Sequence, residues 1–174
     1  MTDVLTRPAA TAEPGRIQRF VRSLRYGALL APVGMLAMAD AIAGEEETAA
    51  RRLGMRPAGG ARAFGYGLLT AVLGLASWFV MVLAVLAVVR GPFWGFVEHG
   101  PVEPGTWGGP TRAGAWAAHG LIAVPCLALF LAVLRAIAAL QRLLVEGSRR
   151  WVLPATIVAA VGSLAFFWSW LQQL

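Results

Sequence analysis

FGYGLLTAVLGLASWFVMVLAVLAVV, residues 64–89, carries no charged side chain, and its reading decides the fold. A hydrocarbon core needs about 20 apolar residues of helix at ~1.5 Å each, so this stretch is predicted to cross a bilayer as one helix. Two further apolar runs of sufficient length follow, Gly114–Leu140 and Val152–Leu171. The composition agrees, because 58% of the 174 residues are hydrophobic and 14% are charged, against about 25% charged in an ordinary soluble domain. Too few charges remain to cover a water-exposed surface. The expectation is an all-α polytopic membrane protein, a bundle of three to four transmembrane helices with an amphipathic basic N-terminal helix.

Residues 16–174 are read as a single membrane domain behind a disordered tail, 1–15, whose Pro, Thr and Ala follow no period. Nothing in the first residues resembles an apolar core ahead of a small-residue cleavage site, so the tail is expected to stay on the mature chain. Ile17, Phe20, Val21 and Leu24 recur at helical spacing with Arg16, Arg19, Arg22 and Arg25 among them. That pattern predicts a basic amphipathic helix over 16–26, suited to lie on a bilayer surface. The next run, 27–43, is short, contains Pro32 and carries Asp40 near its end.

Arginine-rich short loops stay cytoplasmic, and all the basic residues here are arginine. The N-terminal segment holds Arg7, Arg16, Arg19, Arg22 and Arg25; the stretch after residue 43 holds Arg51, Arg52, Arg56 and Arg62; the stretch before residue 152 holds Arg142, Arg149 and Arg150. Residues 91–113 hold Arg112 beside Glu98 and Glu103 and are expected outside. A crossing at 27–43 would place one arginine group on the wrong side. Either that segment is short or re-entrant on the inner side, or it spans against the charge rule. The first reading is preferred, because Pro32 removes a backbone donor and favours a bend. It gives a multi-pass protein of the cytoplasmic membrane with a cytoplasmic N-terminus and an external C-terminus.

The helix expected over 114–146 continues past the membrane, with Arg135, Arg142 and Arg149 seven residues apart, and Gly147 is placed to end it. Trp151 and Pro154 suit the start of a last helix, 152–172, whose Phe166, Phe167, Trp168 and Trp170 supply an interfacial aromatic belt. Gly67, Gly74 and Ser77 share one side of the 64–89 helix, where small residues allow close helix packing, within the chain or in a homodimer.

Leu30-Ala31-Pro32 through Gly44-Glu45-Glu46, then Arg51-Arg52-Leu53-Gly54 and Pro57, resembles the end of the first half of the sensor domain at the N-terminus of many actinobacterial histidine kinases. Residues 64–150 are similar to that domain's second half: a long helix, an external loop, and a helix entering a basic cytoplasmic stretch. The resemblance spans about residues 25–150 and rests on hydropathy order with a few Gly, Pro and Arg positions. It implies a role in signal transduction. The family's opening transmembrane helix is missing here, an extra helix closes the chain and no kinase follows, so output would pass through another protein in the membrane. The family supplies no catalytic residues.

Nor do the residues themselves point to an enzyme. There is no Walker loop, no GxGxxG, no HExxH and no Ser/His/Asp set in one aqueous domain. Cys126 stands alone, without CxxC or a Cys/His cluster, so no metal or cofactor is expected. The net charge of +6 sits beside the helices, where the positive-inside rule accounts for it without a nucleic-acid partner. What stands out is the 91–113 loop, in which Trp94, Phe96, Glu98, His99 and Trp107 could form a cap meeting a ligand or partner. The bland alternative is headgroup anchoring. Asp40, His119 and Arg135 are candidate intramembrane polar residues. His119 shares a helix face with Trp116 and Cys126, and pairing of Asp40 with Arg135 or Arg25 would fix the packing of the short segment. The leading expectation is a non-enzymatic sensor-like or regulatory module coupling the external loop to a basic cytoplasmic face. Alternatives are an accessory subunit of a larger membrane complex and a small transporter or channel.

Overall fold

Helices make up most of the computed structural model, which describes residues 15–103, 105–147 and 150–172; the side chains of residues 16, 17, 19, 20, 23 and 170 lie outside that description. Six helices occur among the described residues: α1 (Arg16–Ile42), α2 (Glu46–Leu53), α3 (Gly60–Arg90), α4 (Trp94–Val97), α5 (Arg112–Glu146) and α6 (Val152–Leu171). Of these, α3, α5 and α6 are long and apolar enough to cross a membrane. Val82, Val85, Leu121, Val124, Leu129, Val158 and Val161 all point outward. Such a surface suits hydrocarbon rather than water. The protein is an all-α polytopic membrane bundle. The tail expected over 1–15 falls, except for Gly15, outside the described residues, as do Arg149 and the side chains of Ile17 and Phe20 from the expected amphipathic pattern.

The expected split into a 16–26 helix and a bent 27–43 segment gives way to one helix, α1, which runs through Pro32. Proline lacks the N–H that would bond the Ala28 carbonyl one turn earlier. That carbonyl is instead satisfied from α3, where Trp78 Nε1 donates to it at 2.9 Å. The orphan created by Pro32 thus ties two helices together rather than breaking one. At 27 residues α1 is about 40 Å long. It lies antiparallel along α3: Gly27 faces Ser77, Ala31 faces Gly74, and Gly34 faces Ala71 and Gly67. A hairpin with both ends on one side does not describe it.

This seam depends on missing side chains. A Cβ at Gly74 would collide with the backbone of Ala31, and one at Gly34 with the backbone of Ala71 and Gly67. The expectation that Gly67, Gly74 and Ser77 mark close packing within the chain therefore holds, and all three are buried. Toward the other end of the seam, Ala37 and Ala63 meet Ala49 and Leu53 of α2 in a small core flanked by Met55 and Tyr66.

α2 falls in a stretch read from sequence as a basic loop. Its helix has Glu46 and Glu47 in the first turn, Arg51 and Arg52 in the last, each favourable to the helix dipole, and ends on Gly54 in the left-handed region. Asp40 pairs with Arg52, not with Arg135 or Arg25. The ion pair fastens α2 across the end of α1.

α5 is capped by Thr111, whose hydroxyl accepts from Gly114 N at 3.2 Å, and ends as expected at Gly147 (φ +62). Against α3 its register is fixed by a buried bond, Gln141 Nε2 to Thr70 Oγ1 at 2.8 Å, with Thr70 itself donating to the Tyr66 carbonyl. Gln141 Oε1 has no partner among the described residues. Replacing Gln141 by Leu removes that orphan and leaves Thr70 bonded. Unfolding in detergent should then show stability unchanged or raised by up to about 1 kcal/mol; a loss larger than that would contradict the assignment. α6 buries Val152, Thr156 and Ala160 and sets Phe166 and Phe167 edge-on against Phe79, at 6.0 and 5.8 Å.

Candidate functional site at the loop end of α5

The loop between α3 and α5 is docked on the first turns of α5. After Arg90 the chain turns at Gly91, which lies against Ala123 and leaves no room for a Cβ. Trp116 of α5 donates its indole N–H to the Pro92 carbonyl at 2.8 Å, and Gly95 of α4 sits flat on the Trp116 ring. Phe96 meets the same ring edge-on at 5.2 Å. Glycine at 95 is required because any side chain would strike the indole.

One turn further along α5, His119 stacks on Trp94 with 4.9 Å between ring centres and 18° between planes. His119 Nδ1 lies 2.7 Å from the Ala115 carbonyl. A carbonyl only accepts, so Nδ1 holds a proton and Nε2 is left as the free ring position. Trp94 is 9% exposed, and the Arg112 guanidinium lies 5.8 Å from its ring centre. Arg112 also donates to the carbonyls of Gly95, at 2.9 Å, and of Glu98. These are the carbonyls that a four-residue helix cannot satisfy by itself. Arg112, Trp94 and His119 thus form a cationic and aromatic stack joining α4 to α5.

Of the residues read from sequence as a ligand or partner loop, Trp94 and Phe96 join this cluster. Glu98 contributes its backbone carbonyl while its side chain is exposed. His99 lies outside the cluster, its Nδ1 donating to the Val97 carbonyl at 3.1 Å, and Trp107 is 68% exposed. His119, read separately as an intramembrane polar residue, belongs to the cap. Arg112 was missed as a site residue, although its standing as the sole basic residue of the loop was a usable signal. Asp40 is held by Arg52 at the opposite end, and Arg135 is exposed without an ion pair among the described residues. Among those residues no group of three His, Cys, Asp or Glu side chains lies close enough to hold a metal ion.

A helical membrane bundle bearing a docked cationic and aromatic cap is the class that fold and site define. No protein-family model, curated protein or solved structure matches the chain.

Proposed function

We propose that the protein is a non-enzymatic, sensor-like or regulatory module of the cytoplasmic membrane, in which the α4 loop meets a signal or partner outside and α5 carries the change to the basic face inside. The observation that carries this reading is the docking of the loop on α5 through Arg112, Trp94, Trp116 and His119. The same 35-residue helix ends beside Gly54, where a Cβ would lie 3.9 Å from Val145, so one helix touches both the cap and the end of α2. A second membrane protein would receive the output. The arginines of α2 and its flanks, with Arg142 and Arg150, support a cytoplasmic position for that end. In this reading α1, upright beside α3, is a fourth crossing. The first turn of α1 then lies on the outer side with the loop and the last turn of α6, opposite to the cytoplasmic N-terminus expected from the arginines.

Single cysteines at Ala10, Ala58 and Glu103 in a Cys126→Ser background test the arrangement with a membrane-impermeant thiol reagent on intact cells. Positions 10 and 103 should react and 58 should be protected; protection of 103 with reaction at 58 would invert the molecule and end the reading. Coupling is tested by Arg112→Ala, which loosens the cap by about 1–2 kcal/mol. A Met55→Cys label at the α2 core should then react several-fold faster, whereas an unchanged rate would show that cap and α2 are independent.

A further inference from the structure

Arg22 and Tyr26 stand one turn apart on α1, and Arg135 and Arg142 two turns apart on α5, so each pair shares a helix face. The two faces adjoin, because α1 packs on α5 and the Arg142 guanidinium is within electrostatic reach of the Tyr26 phenol. All four residues are exposed. None of the three arginines has an ion pair among the described residues. Glu146, one turn past Arg142, does not supply one; Arg142 turns its Nε to the Ala138 carbonyl at 3.3 Å instead.

Their depth is unusual for a membrane protein, which ordinarily keeps arginine at helix ends. Gly27 faces Ser77, so Tyr26 beside it lies about 20 Å from the Arg90 end of α3. Arg135 is less than two turns of α5 from Gln141, which bonds Thr70, and comes to about the same depth. From there Arg135 cannot reach a headgroup. Nor does this chain bring a carboxylate to that height among the described residues, since Asp40 is held by Arg52 beside the glutamates of α2, and Glu98 and Glu103 belong to the outer loop.

We propose that the adjoining faces of α1 and α5 are the docking surface for a transmembrane helix of a second membrane protein, one that carries a carboxylate at matching depth to pair with Arg135 and Arg142. The charge complementarity selects this occupant. A neutral helix would cover the arginines without compensating them, and a second copy of the chain meeting this face with its own would set arginine against arginine. Guanidinium suits a carboxylate because its fixed fork of donors engages both oxygens at once, and the Tyr26 hydroxyl adds a further donor. What the partner does rests on the role proposed above, but its docking does not involve the α4 loop.

The test uses the full chain, labelled through Ala58→Cys in a Cys126→Ser background, in dioleoyl phosphatidylcholine vesicles with a synthetic polyleucine transmembrane peptide. The peptide carries one glutamate at its centre, one glutamine at its centre, or one glutamate near its end, and energy transfer reads its binding. The central-glutamate peptide should bind at least about tenfold more tightly than the other two, as a charge-assisted pair implies. In Arg135→Gln/Arg142→Gln that preference should disappear with helicity unchanged, and Arg135→Lys/Arg142→Lys should restore most of it. Arg62→Gln, exposed and remote, should keep it. Equal binding of the central-glutamate and glutamine peptides would overturn the proposal, as would equal binding of the end-glutamate peptide, which would mean attraction at the surface. So would an unaltered preference in the double Gln variant or an equal loss in Arg62→Gln. Failure here leaves the Arg112→Ala coupling result standing, and failure of that coupling leaves the docking result standing.

Discussion

Gly74→Val will separate α1 from α3. The added atoms meet the backbone of Ala31 and Leu30, which cannot rotate away as a side chain would, so the helices must part. The expected cost is about 3 kcal/mol, the upper part of the range for overpacking. Gly65→Val, on the same helix where a Cβ would meet open space, should cost no more than about 0.5 kcal/mol. A direct readout uses Gly27→Cys with Ser77→Cys in a Cys126→Ser background. A Cβ at residue 27 lies 3.6 Å from that of Ser77, within the ~3.5–4.5 Å span of a disulfide. Oxidation should join the pair efficiently in the parent and poorly with Gly74→Val. Equal cross-linking in both would refute the account of the seam.

Trp78→Phe will expose what Pro32 does. The indole N–H is gone, the ring remains, and the Ala28 carbonyl is left without a donor at a site away from water, at a cost of about 1–3 kcal/mol. Pro32→Ala restores the missing backbone N–H and should be neutral or slightly stabilising, because the helix then satisfies its own carbonyl. The informative protein is the double variant, in which loss of the indole should cost less than half as much as it does beside proline. Unfolding in detergent, followed by helicity, gives the cycle. Simple additivity of the two changes would show that the Trp78 bond does not compensate for the proline.

The three long apolar helices were legible in the sequence because lipid imposes a length and a composition on each segment alone. Phe64–Val89 lies inside α3, 114–146 nearly coincides with α5, and Trp151 with Pro154 opens α6, all from local pattern. The small-residue side of α3 was legible for a similar reason, since close approach needs the absence of side chains at fixed spacing. The path of α1 was not. Proline argues locally for a break, and the donor that removes the argument is Trp78, fifty residues away. α2 was read as a loop for its arginines, although Glu46 and Glu47 ahead of Arg51 and Arg52 already carry a dipole-matched helix signal. In the cap, Trp94 and Phe96 were visible as aromatics in an unusual loop. Their meeting with His119 and Arg112 depends on where α3 ends relative to α5, a register set by Gln141 and Thr70 at the other end of the bundle.

α1, α2 and α3 close upon one another through the glycine seam, the alanine core and the Asp40–Arg52 pair before any part of α5 is required. In biosynthesis residues 16–90 would then be able to close as one unit before α5 is made. Once α3 has left the ribosome, α1 can settle against it with its proline carbonyl already satisfied, while the later helices are still being made. α5 and α6 would then be added to a preformed helical pair, and the order of assembly follows the order of translation.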